Sequence, residues 1–560
     1  MPQKSRDEIL EQDMRDLHRL GYAQQLFRQM GGFSNFAISF SIISILTGAI
    51  LLFGFGLRFA GPIVNSVGWP VVSLLVLCVA ASMAELASAY PTAGGLYFWA
   101  YRLGGRRWAW TTAWFNMIGQ VTTTAGVNIG VSIYAVGAVT RMFNLPADTP
   151  IPVFGALNNW YFYVFIMVLI TLPQALINLL GIRVTARLNN LSVWWHIAGV
   201  AVIALALTFL GRTHHPLSYA FQIVKTTNPY DFSSAEIATG VTAPALYLGN
   251  PITQKPLFVL PSPLFAMFPA LGHLYQTAPI WLLLGIGLLQ AQWTYTGFDA
   301  SAHMAEETCR ARLNSAWGVF LSVAVSAVAG YVMLMILTLS ITDIPATATD
   351  PYPVLKIAYD NLPRFWANFI AVIIAGAMWL CGLSCITSMS RMWFAFARDG
   401  GMPGHSFIRR IHPRWRTPAN SILVTCALAV LILLWAGAYF VVTAICVIML
   451  YWAYGIPIFL NVRNKLRRSG EYTQAETAPW NLKKWGVALN LISVLWIAII
   501  SLFLVLPPNE LVLWTTVLVC LFMFLYWKLD VTRRFTGPTP VDESELRRIE
   551  LEMAAQRPPH

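Results

Sequence analysis

The chain carries little charge for its length. Only 11 % of its 560 residues are Asp, Glu, Lys or Arg, whereas 57 % are apolar, and the mean hydropathy is +0.59. So few charges cannot clothe a string of soluble domains, and the composition is that of a polytopic membrane protein. The start, MPQKSRDEILEQDMRDLHRLGY, is charged and lacks an apolar core, so no cleavable signal peptide is expected. The seven cysteines make no disulfide framework. Cys78, Cys381, Cys385, Cys426, Cys446 and Cys520 fall in apolar runs and Cys309 at the end of one, so they read as small core residues. HExxH and His-rich motifs are absent. His214-His215 has no partner spacing, and Cys381 and Cys385 have no further ligands. No metal, cofactor or membrane-embedded enzyme chemistry is expected.

What is present is length of apolar sequence. Twelve spans are expected, roughly 34–59, 69–90, 108–139, 159–180, 190–211, 281–308, 315–341, 366–390, 418–437, 439–461, 486–506 and 510–528. The net charge of +12 sorts by topology. With the N-terminus inside, all of the 37 Lys and Arg but Arg58, Arg141, Arg212, Lys225, Lys255, Lys356 and Arg364 fall in cytoplasmic segments. That asymmetry follows the positive-inside rule, places both termini in the cytoplasm and removes any need for a nucleic-acid partner. A multi-pass plasma-membrane protein in direct contact with the bilayer is expected.

The chain is organised around Trp281 to Thr308, WLLLGIGLLQAQWTYTGFDASAHMAEET. The first twelve residues are apolar but rise only about 18 Å against about 30 Å of hydrocarbon. Thr294, Tyr295, Thr296 and Gly297 then form a break, followed by a second half-helix carrying Asp299, His303 and Glu306 on one face, with Glu307 beside them. Ionisable groups are kept out of lipid and face a bundle interior or an aqueous path. Span 1 has a matching interruption at Ser44-Ile45-Leu46-Thr47-Gly48. Corresponding breaks five spans apart predict an inverted repeat, spans 1–5 against spans 6–10. The domains expected are a tail, 1–31, lying near the membrane surface, two repeats, 32–211 and 281–461, a loop, 212–280, capping the outer mouth, spans 11–12 within 462–528, and a mobile tail, 529–560. The terminal pair supports the bundle or a contact in a homo-oligomer.

Three strings carry a resemblance: SILTG, AELASAYPTAGGLYFW and WTYTGFDASAHMAEET, in that order. Together they resemble the amino acid–polyamine–organocation permease superfamily, in particular its amino acid/choline branch, with permeases for γ-aminobutyrate, choline and related amines. The likeness covers roughly residues 30 to 530. It implies an all-α fold of twelve transmembrane helices in a five-plus-five inverted repeat with broken helices 1 and 6. It implies a secondary transporter of a small amino acid or amine, proton-coupled, sodium-coupled or an exchanger; no ATP-binding GxxxxGK[ST] loop is present. A nutrient sensor with the same site and no net flux is the alternative.

The resemblance also assigns a site. The span 1 break, Ser44 to Gly48, would bind the substrate, the amides of Ile45, Leu46, Thr47 and Gly48, helped by the half-helix dipole, taking a carboxylate. Carbonyls at Tyr295, Thr296 and Gly297 would take an ammonium, with Trp293 and Phe298 closing over the ligand. Ion coupling has several candidates. In proton-coupled relatives a lysine stands nine residues after the arginine of an ARxNN string, and Arg187 plus nine gives His196, which titrates near neutrality. The Asp299–His303 face is a second candidate, and Glu85, alone in span 2, is either a proton-path residue or structural. Ser384 and Thr387 of span 8 match two hydroxyls that complete a sodium site in sodium-coupled relatives. The Asn, Gln and Thr residues of span 3 must be satisfied inside the bundle, making that helix central.

Overall fold

The computed structural model describes residues 6–146, 148–224, 279–434, 439–468, 475–507 and 509–538, with shorter stretches between 249 and 277 and scattered positions beyond 538. Among them, ten helices are long and apolar enough to cross a membrane, and the protein is an all-α polytopic membrane protein. The remaining two expected spans are short. Ile280–Thr294 and Ala419–Leu431 fall below the length of a full crossing, so the count of twelve is not reached on length and composition alone. The first is short because span 6 is broken, and residues 435–438, where span 9 was expected to end, lie outside the described residues.

Burial grades the helices. Of the most apolar window of Arg106–Phe143, 94 % is buried, against 22 % for Glu510–Arg534, so span 3 is the central post and span 12 faces lipid. The sequence explains the difference: Asn116, Gln120, Thr123, Thr124 and Asn128 of span 3 are all buried, whereas span 12 shows Leu518, Leu521, Phe522 and Leu525 outward. The seven cysteines are free thiols.

The N-terminal region is packed more deeply than expected. The N-terminal tail does not simply lie near the membrane surface. Its helix, Arg6–Arg19, buries Asp13 and Leu17, and Tyr22, Leu26 and Met30 follow them into the protein. Asp13 accepts the Arg310 and Ala311 amides at 2.7 and 3.2 Å, capping the helix Ala311–Leu339. We call this end of the bundle the tail end. The 212–280 loop and the 529–560 tail fall mostly outside the described residues, and the cap and mobility expected of them with it. Within reach of description, Val224 donates its amide to Ala60 O at 3.1 Å and Tyr275 its hydroxyl to Pro507 O at 2.5 Å.

Candidate substrate site

Span 1 is broken where the sequence places the break. The helix Gly32–Ile43 ends on Ser44, held at φ 31°, and helical structure resumes at Gly48–Leu51. The Thr47 and Gly48 amides both return to Ser44 O, at 2.7 and 3.0 Å. The Ile45 and Leu46 amides have no hydrogen-bond partner among the described residues. Of the four amides expected to face a carboxylate, Ile45 to Gly48, these two are the uncommitted donors.

Span 6 runs as Ile280–Gly287 and Leu289–Thr294, breaks over Tyr295–Asp299, and resumes as Ala300–His303 with a 3₁₀ turn at Ala305–Glu307. Its second half is thus shorter and tighter than a regular helix, and Asp299 lies inside the break rather than one turn past it. Tyr295 O accepts from the Tyr451 hydroxyl at 2.6 Å, and Gly297 O from the Ala300 amide at 3.1 Å. Thr296 O has no partner among the described residues, and its hydroxyl donates to Trp293 O at 2.7 Å. The Tyr295 side chain leaves the break for Ser73, at 2.6 Å, and packs on Trp69. Trp293 is buried, and Phe298 lies 4.9 Å from the Tyr454 ring, so both expected gates are packed against neighbouring helices.

The two breaks interlock through their glycines. A Cβ on Gly48 would stand 2.7 Å from Thr294 Cα, so the two backbones touch there. Gly297 has φ +80°, and a Cβ on it would run into Ile42 Cγ2. A side chain at Gly297 would therefore meet span 1.

Asp299 is fully engaged. Its Oδ1 accepts from the Tyr454 hydroxyl at 2.9 Å, and its Oδ2 from Asn116 Nδ2 at 2.9 Å and His303 Nε2 at 3.0 Å. His303 Nδ1 donates to Ala93 O at 3.1 Å. The Ala93 amide donates to Glu306 Oε1 at 3.1 Å. The turn at 91–95 after span 2 therefore holds His303 and Glu306, two of the ionisable residues of span 6. Gly95 is needed there because it has φ +44° and a Cβ would stand 3.2 Å from the His303 ring.

His196 meets the other break. Ser44 Oγ lies 2.7 Å from its Nε2, Thr47 Oγ1 2.6 Å beyond, and Ser192 O 2.7 Å from its Nδ1. A carbonyl only accepts, so Nδ1 carries a proton and the neutral ring takes the Ser44 hydrogen on Nε2. Neither Glu85 nor Asp299 is among its partners. Glu85 pairs with Lys465 at 2.5 Å and accepts from Asn461 and the Leu482 amide. Ser384 and Thr387 hydrogen-bond to Asn189 and Asn178, the latter at 2.7 Å, and to their own helix, so their described partners lie outside the span 1 break.

Charge pairs cross the tail end. Glu307 meets Arg391 at 3.0 Å and Glu306 meets Arg398 at 3.0 Å, tying span 6 to span 8. Arg28 donates to Ala305 O and Thr308 O at 2.9 and 2.6 Å. Tyr22 and Tyr97 both bond Asp399, the first at 2.8 Å. Burial pushes the Asp399 carboxyl up to about 8, with the Tyr22 hydrogen bond opposing. Sequence reasoning missed Tyr454, Arg391, Arg398, Tyr22 and Asp399. Two arginines seven apart near the end of an apolar helix were the legible signal for the span 6 carboxylates.

Two interlocked broken helices thus lie inside a polytopic bundle, with amides on one and a carbonyl on the other that are uncommitted among the described residues. A family model described as amino acid permease matches residues 30–527. The chain belongs to the amino acid permease family, of the amino acid–polyamine–organocation superfamily, and is a transporter of amino acids. It is 31 % identical to Amino-acid permease BAT1 of Arabidopsis thaliana, over 93 % of this chain and 95 % of that protein. Its identity to the Amino-acid permease BAT1 homolog of Oryza sativa is 30 %, covering 93 % and 94 %. It is 26 % identical to the GABA-specific permease of Saccharomyces cerevisiae, over 73 % of this chain and 64 % of that one.

Proposed function

We propose that the chain moves a small zwitterionic amino acid by alternating access of its two repeats, 32–211 and 281–461, with the tail end facing the cytoplasm and a proton as the coupling ion. The carrying observation is the pairing of uncommitted groups: the Ile45 and Leu46 amides for the carboxylate and Thr296 O for the ammonium. A polyamine or choline fits less well, because the three donors on Asp299 already occupy the one carboxylate at the break. The likeness to a GABA-specific permease accords with a zwitterion.

His196 is the proposed coupling residue. A second proton on its Nε2 would turn that nitrogen from acceptor to donor, and the Ser44 hydrogen would swing to Thr47 Oγ1, 2.6 Å away. Protonation thus rewrites hydrogen bonds within the span 1 break, and only a group whose interactions differ between states can couple a gradient to motion. Uptake into proteoliposomes of wild type and His196→Gln, across imposed pH gradients, tests both claims. Wild type is expected to accumulate amino acids with a pH dependence that the variant flattens. An unchanged profile would reduce His196 to packing, and binding without uptake would favour a sensor.

A further inference from the structure

The reading above leaves the substrate's side chain without a partner, and span 3 offers one. Gln120 is 6 % exposed, yet neither its Nε2 nor its Oε1 has a hydrogen-bond partner among the described residues. Buried amides are almost always satisfied, so one with both ends uncommitted marks a place where a ligand completes the set. Its position follows from helix geometry. Asn116, Gln120, Thr123 and Val127 of Arg106–Phe143 lie within about 60° of one another around the helix axis. Asn116 bonds Asp299 at 2.9 Å, Thr123 contacts Cys446 of span 10 at 2.9 Å, and a Cβ on Gly126 would stand 3.5 Å from the Trp293 ring. Thr124 reaches Met389 of span 8 at 3.7 Å. Gln120 therefore stands about 6 Å from Asn116 along the axis, level with the span 6 break and aimed between spans 8 and 10.

We propose that Gln120 is the side-chain subsite of this transporter and selects neutral polar amino acids, those with a carboxamide above all. A carboxamide returns one donor and one acceptor to the two free atoms of Gln120, whereas an aliphatic chain leaves both unpaired. A charged side chain would find no opposite charge to spare. Asp299, Glu306, Glu307 and Glu85 are each paired with His303, Arg398, Arg391 and Lys465. Desolvating an ion into such a wall is strongly unfavourable.

The inference rests on the amino-acid transport reading, and one experiment separates the two. Labelled glutamine, leucine and lysine are taken up by proteoliposomes holding the full-length wild type, Gln120→Leu or the isosteric Gln120→Glu. Gln120→Leu is expected to lower the glutamine-to-leucine ratio of kcat/KM at least about tenfold, and Gln120→Glu to raise lysine over glutamine by a similar factor. Ratios within about twofold of wild type in both variants would overturn the subsite while leaving transport in place. If Gln120→Leu does not fold, the Gln120→Glu ratio decides alone. A wild type that takes up another small amino acid such as glycine but not glutamine would overturn the subsite alone, and a monodisperse wild type that takes up no amino acid would overturn the transport reading and the subsite with it.

Discussion

The Glu307–Arg391 pair gives the sharpest energetic expectation. Both side chains are at most 1 % exposed, and two nitrogen–oxygen contacts at 3.0 and 3.3 Å make the pair bidentate. Removing one partner strands a charge where water cannot reach it, at a cost of roughly 3–5 kcal/mol. Arg391→Met should show the full effect, because Glu307 then keeps no cation. Glu307→Gln should fall at the lower end, since Arg391 retains Ser390 Oγ at 3.2 Å. Removing both charges together is close to neutral in apolar surroundings, so the double variant should be more stable than Arg391→Met alone by at least about 2 kcal/mol. Equilibrium unfolding in mixed micelles, followed by the fluorescence of the 22 tryptophans, supplies the cycle. Strictly additive losses, or single variants within about 1 kcal/mol of wild type, would refute the claim that an uncompensated buried charge governs this contact.

Two further outcomes follow from the geometry. Gly48→Ala should abolish uptake and cost about 1–3 kcal/mol of stability, as overpacking does, because the new methyl group meets the Thr294 backbone at 2.7 Å; a transport-competent Gly48→Ala would show that the breaks need not touch. Asp399→Asn should flatten the pH dependence of stability. With the folded carboxyl raised from 3.8 to about 8, the native state holds a proton the unfolded chain has lost. Stability therefore falls as pH rises through that window, by up to about 1.4 kcal/mol per unit. Equal slopes for wild type and variant between pH 5 and 8 would count against it.

Much of the site was legible because its chemistry is local. A half-length apolar run followed by TYTGFD in span 6, and SILTG in span 1, announces broken helices without any knowledge of neighbours, since glycine, hydroxyls and helix length act within one segment. The polar density of span 3 likewise requires a central helix. What local pattern cannot give is partnership. Which amides of the span 1 break stay free depends on Ser44 O folding back onto Thr47 and Gly48. That Tyr454, Asn116 and His303, from three different segments, close on Asp299 is written nowhere in the sequence around it. His196 was found by spacing, but its coupling to Ser44 spans 152 positions of sequence. Local composition determines where a helix must break and what cannot face lipid; only the assembled bundle decides which polar groups remain unpaired, because a hydrogen bond between distant segments leaves no periodic trace in either.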